Sequence, residues 1–106
     1  MKIPKRFKLM GQTITVEFDA EKFAEKDGVF GLAIYRQNKI ILRPSSSTTP
    51  LTEDQIGSTF CHEIMHFVTY NSGASYDPEN AMHRDEDFID LSGELLYQIL
   101  SSMEYK

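Results

Sequence analysis

Seven residues between and including two prolines, Pro44-Ser45-Ser46-Ser47-Thr48-Thr49-Pro50, divide this chain into halves of different periodicity, and that division limits the folds open to it. Upstream, Gln12-Thr13-Ile14-Thr15-Val16-Glu17-Phe18 alternates polar and apolar with β-branched residues at its centre, the pattern of a strand with one buried face. Phe7-Lys8-Leu9 precedes it across a Met10-Gly11-Gln12 bend, so the two segments read as a hairpin. Phe30 to Tyr35 and Lys39 to Leu42, separated by Arg36-Gln37-Asn38, read as a second hairpin. Between the hairpins, Ala20 to Gly28 has room for one or two helical turns ended by the glycine.

Downstream the period becomes helical. Thr52-Glu53-Asp54-Gln55 matches a capping box, in which the threonine hydroxyl and the glutamine side chain satisfy each other's orphan amides. Ile56, Phe60, Ile64, Phe67 and Val68 then recur at helical spacing to about Tyr70, where Asn71-Ser72-Gly73 supplies a stop. Ser75 to Ala81, containing Asp77-Pro78-Glu79-Asn80, reads as loop. A second helix is expected from about Arg84 to Met103, packing antiparallel on the first through Phe88, Leu91, Leu95 and Ile99, with Ile89, Leu96 and Leu100 widening that face. At 106 residues this is the size of one compact domain. The expected fold is therefore α+β, an antiparallel sheet of two N-terminal hairpins followed by two main helices, in a single domain over residues 1–106.

Composition excludes some functions. Sixteen acidic residues against eleven basic ones give a net charge of −5, the wrong sign for nucleic-acid backbones, so no nucleic-acid partner is expected. The apolar runs fall well short of the roughly 20 residues that cross a bilayer, so no membrane partner is expected either. Met1-Lys2-Ile3-Pro4-Lys5-Arg6-Phe7-Lys8 is basic but has no apolar core of a secretory signal, which points to the cytoplasm. Cys61 is the sole cysteine; it cannot form an internal disulfide or a cysteine-based zinc framework, and it reads as a small buried hydrophobe.

The chemistry is concentrated in His62-Glu63-Ile64-Met65-His66, a His-Glu-x-x-His motif in the middle of the first predicted helix. Residues four apart share one helical face about 5–6 Å apart at Cβ, so His62 and His66 can aim two imidazole nitrogens at one Zn²⁺ ion. Glu63 stands beside such an ion and is the candidate general base. A third ligand has to come from elsewhere, and Asp85-Glu86-Asp87-Phe88-Ile89-Asp90 offers it. Glu86 shares a face with Asp90, Gly93 and Tyr97, so Glu86 is the candidate third ligand and Asp90 an acceptor for the free ring N–H of His62. Gly93 would permit close approach of the two helices. Asp85, Asp87 and His83 are competing ligands. Four acids at a helix start exceed what the helix dipole alone would favour. Candidate donors to a developing oxyanion are His83, Tyr70, Tyr76 and Tyr97.

This constellation resembles a zincin metallopeptidase of the gluzincin type, in which His-Glu-x-x-His on one helix is joined by a glutamate on a following helix, in a stretch like Asn-Glu-x-x-Ser-Asp. Glu86 and Asp90 match the Glu and the Asp, while Asp85 and Ile89 stand where Asn and Ser would be. The layout also resembles a family of very small zincin-like proteins encoded by bacteriophages and prophages. That likeness runs through an opening Lys5-Arg6-Phe7-Lys8-Leu9-Met10-Gly11-Gln12-Thr13-Ile14 and a closing helix from Phe88-Ile89-Asp90 to Leu95-Leu96-Tyr97-Gln98. The resemblance implies a minimal zincin core, a zinc-dependent peptidase with one Zn²⁺ and a peptide or protein substrate, in a phage-infected or lysogenic bacterial cytoplasm. An extended substrate would add to an exposed strand, Phe30 to Tyr35 or Lys39 to Arg43, through main-chain bonds. The alternative is a zincin-fold zinc-binding protein with little or no turnover, acting as a binding or regulatory module.

Overall fold

Met10 and Gly11 both adopt positive φ, 51° and 79°, the two-residue turn whose twist suits a tight hairpin. They join β1 (Arg6–Leu9) to β2 (Gln12–Phe18) as an antiparallel pair with Phe7 opposite Ile14. The computed structural model describes residues 1–71 and 86–105. The second hairpin pairs β3 (Gly31–Ile34) antiparallel with β4 (Lys39–Leu42), through a short 3-10 turn at Tyr35–Gln37 closed by Asn38 in the left-handed conformation.

The two hairpins do not lie side by side in chain order. Strand order is β1-β2-β4-β3, and β2 runs parallel to β4 with Val16 beside Ile40, so the sheet is mixed and not purely antiparallel as its hairpins suggest. The apolar content explains which strand of the second hairpin goes inside. Ile40, Ile41 and Leu42 are all buried, a continuous apolar run suited to a central position covered on both faces, whereas β3 is only half-buried along its length. The segment that carries the chain across, from Asp19 to Phe30, includes a single 3-10 turn (Glu21–Phe23) whose Phe23 is wholly buried. Arg43 pins this segment: its guanidinium donates to the carbonyls of Lys26 and Val29 at 3.1 and 3.3 Å and sits 5.9 Å over the Phe23 ring. Strand β3 is thereby left at the sheet edge, and of the two segments proposed for substrate pairing, Lys39 to Arg43 is excluded because β4 is paired on both sides.

The capping box forms as read: the Thr52 amide donates to Gln55 Oε1 at 2.8 Å and the Gln55 amide to Thr52 Oγ1 at 3.1 Å, opening α1 (Glu53–Asn71). Phe60 and Phe67 of α1 join Ile14, Val16, Ile40 and Leu42 in one core between helix and sheet. The expected Asn71-Ser72-Gly73 stop extends beyond the described residues, as do the Ser75 to Ala81 loop and the start of the second helix at Arg84. Helix α2 (Glu86–Ser102) packs antiparallel on α1, but not through the face its leucines predict. Leu91, Leu95 and Ile99 are 62%, 48% and 55% exposed, while Ile89, Gly93 and Tyr97 are buried. A Cβ on Gly93 would lie 2.8 Å from the His62 Cα, and the Tyr97 ring occupies the space a side chain at Gly57 would take. Backbone proximity and one large ring fill this interface, so Leu91, Leu95 and Ile99 turn outwards. None of the described helices is long and apolar enough to cross a membrane.

Candidate metal centre

The antiparallel alignment sets α2 against α1 in steps of four. Glu86 meets His66, Asp90 meets His62 and Glu94 meets Ser58, so each turn forward on α2 is one turn back on α1. Asp90 Oδ1 lies 3.0 Å from His62 Nδ1 and fixes that ring, leaving Nε2 to point the other way. His62 Nε2 is then 3.5 Å from Glu86 Oε2, and His66 Nε2 is 3.4 Å from Glu86 Oε1. Both separations are long for N–H···O hydrogen bonds, which cluster near 2.9 Å. They match the edge of a tetrahedron, about 3.3–3.4 Å when ligands sit at the ~2.0–2.1 Å of zinc–nitrogen bonds. The two rings are 4.9 Å apart and nearly perpendicular, at 71°.

Among the described residues, two overlapping sets could hold a metal, each with its ligand atoms within 4.8 Å of one another: His62, Glu63 and His66, and His62, Glu86 and Asp90. His62 belongs to both sets, and Glu86 reaches across with one oxygen to each imidazole. This donor set of imidazole nitrogens and carboxylate oxygens suits zinc. Asp87 is exposed and belongs to neither set, whereas Asp85 and His83 lie outside the described residues.

Glu63 differs from Glu86 and Asp90 in being buried, at 5% exposure. Burial, reinforced by the nearby Glu86 charge, pushes its pKa up to about 8. His66 moves the opposite way for the same main reason: desolvation lowers its pKa, with the His62 charge acting in the same sense and Glu86 and Asp90 opposing. Its Nδ1 is buried and, among the described residues, has no hydrogen-bond partner. A neutral imidazole is the form that binds a metal.

The histidines, Glu63, Glu86 and Asp90 open onto a groove of about 670 Å³ whose far side is the edge strand β3 with Tyr35 at its end. Gly31 sets the spacing of this groove. A Cβ there would meet Thr59 Cγ2 at 2.7 Å and Glu63 Cγ at 3.0 Å, so only glycine lets β3 pass this close to the buried carboxylate. Sequence reasoning missed Gly31, Tyr35 and the Ser58–Glu94 contact. A glycine opening an apolar strand was the available signal for the first, and the four-residue repeat Glu86, Asp90, Glu94 for the third. Tyr97 is not at the site: its hydroxyl donates to Asp54, one end of a separate groove. Tyr70 stacks against Tyr35, and Tyr76 falls outside the described residues. Cys61 is free and fully buried, with its thiol pushed up to about 11 by that burial. Compared with family models, with curated proteins and with solved structures, the chain matches none.

Proposed function

We propose that this protein is a zinc-dependent metallopeptidase with a zincin-like core, held by His62, His66 and Glu86 around one Zn²⁺. The observation that carries the reading is the convergence of two Nε2 atoms on the two oxygens of Glu86, at 3.5 and 3.4 Å, beside a buried glutamate in an open groove. Bound zinc would supply Lewis-acid polarisation of a carbonyl and a more acidic water. Asp90 holds the His62 ring in the orientation that presents Nε2. Glu63 takes a proton from the attacking water as its oxygen bonds to the peptide carbon, then delivers that proton to the amine nitrogen as the C–N bond breaks. The substrate is an extended peptide that adds to the outer edge of β3, which borders the groove and, among the described residues, pairs with β4 alone. The setting proposed is a reducing compartment such as the bacterial cytoplasm, compatible with a single buried thiol.

Metal analysis of the purified protein tests this first. One zinc per chain is expected for the wild type and none for His62→Ala. Glu86→Ala is expected to weaken zinc binding by roughly a hundredfold, above the effect of most outer-shell changes, while Asp87→Ala leaves it unchanged. Equal losses at Glu86 and Asp87 would refute the ligand set. A zinc-loaded wild type that cleaves nothing in a broad peptide library would favour the non-catalytic binding protein instead.

A further inference from the structure

One wall of the groove comes from neither helix ladder. Where β3 ends, Tyr35 packs back onto α1, its ring parallel to Tyr70 at 4.2 Å between centroids and edge-on to Phe67 at 5.1 Å. Two contacts, with residues on one face of α1, fix the ring plane. Tyr35 lines the same groove as His62, Glu63, His66 and Glu86, at the end of the strand edge on which a peptide would lie. Among the described residues no group accepts a hydrogen bond from its hydroxyl.

We propose that Tyr35 is the hydrogen-bond donor to the substrate carbonyl oxygen as that oxygen becomes negative. The assignment rests on the peptidase reading above. Among the described residues the other phenols are less suited: Tyr97 is engaged by Asp54, Tyr105 by Met103, and Tyr70 does not line the groove. Burial, and after it the charges of Glu63 and Glu86 and the neighbouring Tyr70, push the Tyr35 phenol up to about 12 in the metal-free chain. A donor whose ring is already clamped needs no reorganisation when charge develops, and such preorganised donors carry large effects.

Tyr35→Phe keeps the ring and its stacking and removes only the donor. In the zinc-loaded protein kcat should fall roughly a hundredfold with KM unchanged. Affinity for a phosphonamidate peptide, a tetrahedral mimic, measured by calorimetry, should fall by a similar factor. Zinc affinity and the melting temperature of the metal-free protein should not move. Wild-type kcat and phosphonamidate affinity in Tyr35→Phe would overturn the assignment while leaving the peptidase reading intact, provided Glu63→Gln is inactive. Loss of zinc or of thermal stability in Tyr35→Phe would also overturn it, by making the hydroxyl structural. A wild type that neither cleaves peptides nor binds the phosphonamidate would remove both.

Discussion

Glu63→Gln should lose peptide hydrolysis by roughly a thousandfold or more, within the range for a removed general base, and at the same time should make the metal-free protein more stable at alkaline pH. The two effects have one origin. Glu63 is buried, and its pKa of about 8 lies well above the 4.5 of an unperturbed glutamate. Between those values the folded chain holds a proton that the unfolded chain has released, so stability falls as pH rises, by about 1.4 kcal/mol per pH unit. The accumulated loss at pH 8 is on the order of 4 kcal/mol, a large part of the roughly 5–15 kcal/mol that keeps small domains folded. Glutamine cannot lose a proton, so denaturation of the metal-free variant should lack this slope. The two proteins should agree near pH 4 and diverge through pH 8, with the variant the more stable. A divalent cation beside the carboxylate favours its charged form, so zinc should flatten the wild-type slope and supply the base in its ionised state. Parallel pH profiles for metal-free wild type and variant would show that burial does not act on Glu63 in this way.

Gly93→Ala is expected to destabilise the fold by about 2 kcal/mol, and the sign is the test. In an exposed helix the same change stabilises by up to about 1 kcal/mol, because alanine is the better helix former. Here the added methyl would stand 2.8 Å from the His62 Cα and 3.0 Å from its amide nitrogen, both backbone atoms that cannot rotate aside. The helices must separate, at the 1–3 kcal/mol typical of overpacking. Separation also draws Asp90 and Glu86 away from the imidazoles they face, so zinc affinity should drop although no ligand has changed. Chemical denaturation and zinc titration of the one variant check both effects. A gain in stability would mean that the helices do not approach here.

Much of this arrangement can be read from the chain, for reasons that differ by element. Strand β2 and helix α1 announce themselves because their signals are local: alternation around Ile14 and Val16, and the reciprocal Thr52 and Gln55 bonds. That His62 and His66 share one face of α1 is legible because residues four apart lie one helical turn apart. Glu86 and Asp90 follow from the same four-residue period on the second helix. Besides the groove contacts of Gly31, Tyr35 and Ser58, two features of the fold were not legible. Which strand of the second hairpin lies inside depends on pairing with β2, a non-local choice that the hairpin signal does not contain. The apolar packing of α2 is the other, because Leu91, Leu95 and Ile99 form the more apolar face, whereas contact follows Ile89, Gly93 and Tyr97. Apolar periodicity measures the strength of a face; the fit of glycine on backbone and of a ring on Gly57 decides which face docks.

That orientation inverts the usual hierarchy of tolerance along α2. Polar replacements at Leu91, Leu95 or Ile99, on surface already wetted, should leave the unfolding free energy within about 0.5 kcal/mol of the wild type and shorten retention on a phenyl column. In a saturation scan of this helix, Leu91, Leu95 and Ile99 would score as permissive sites and Gly93 as an intolerant one.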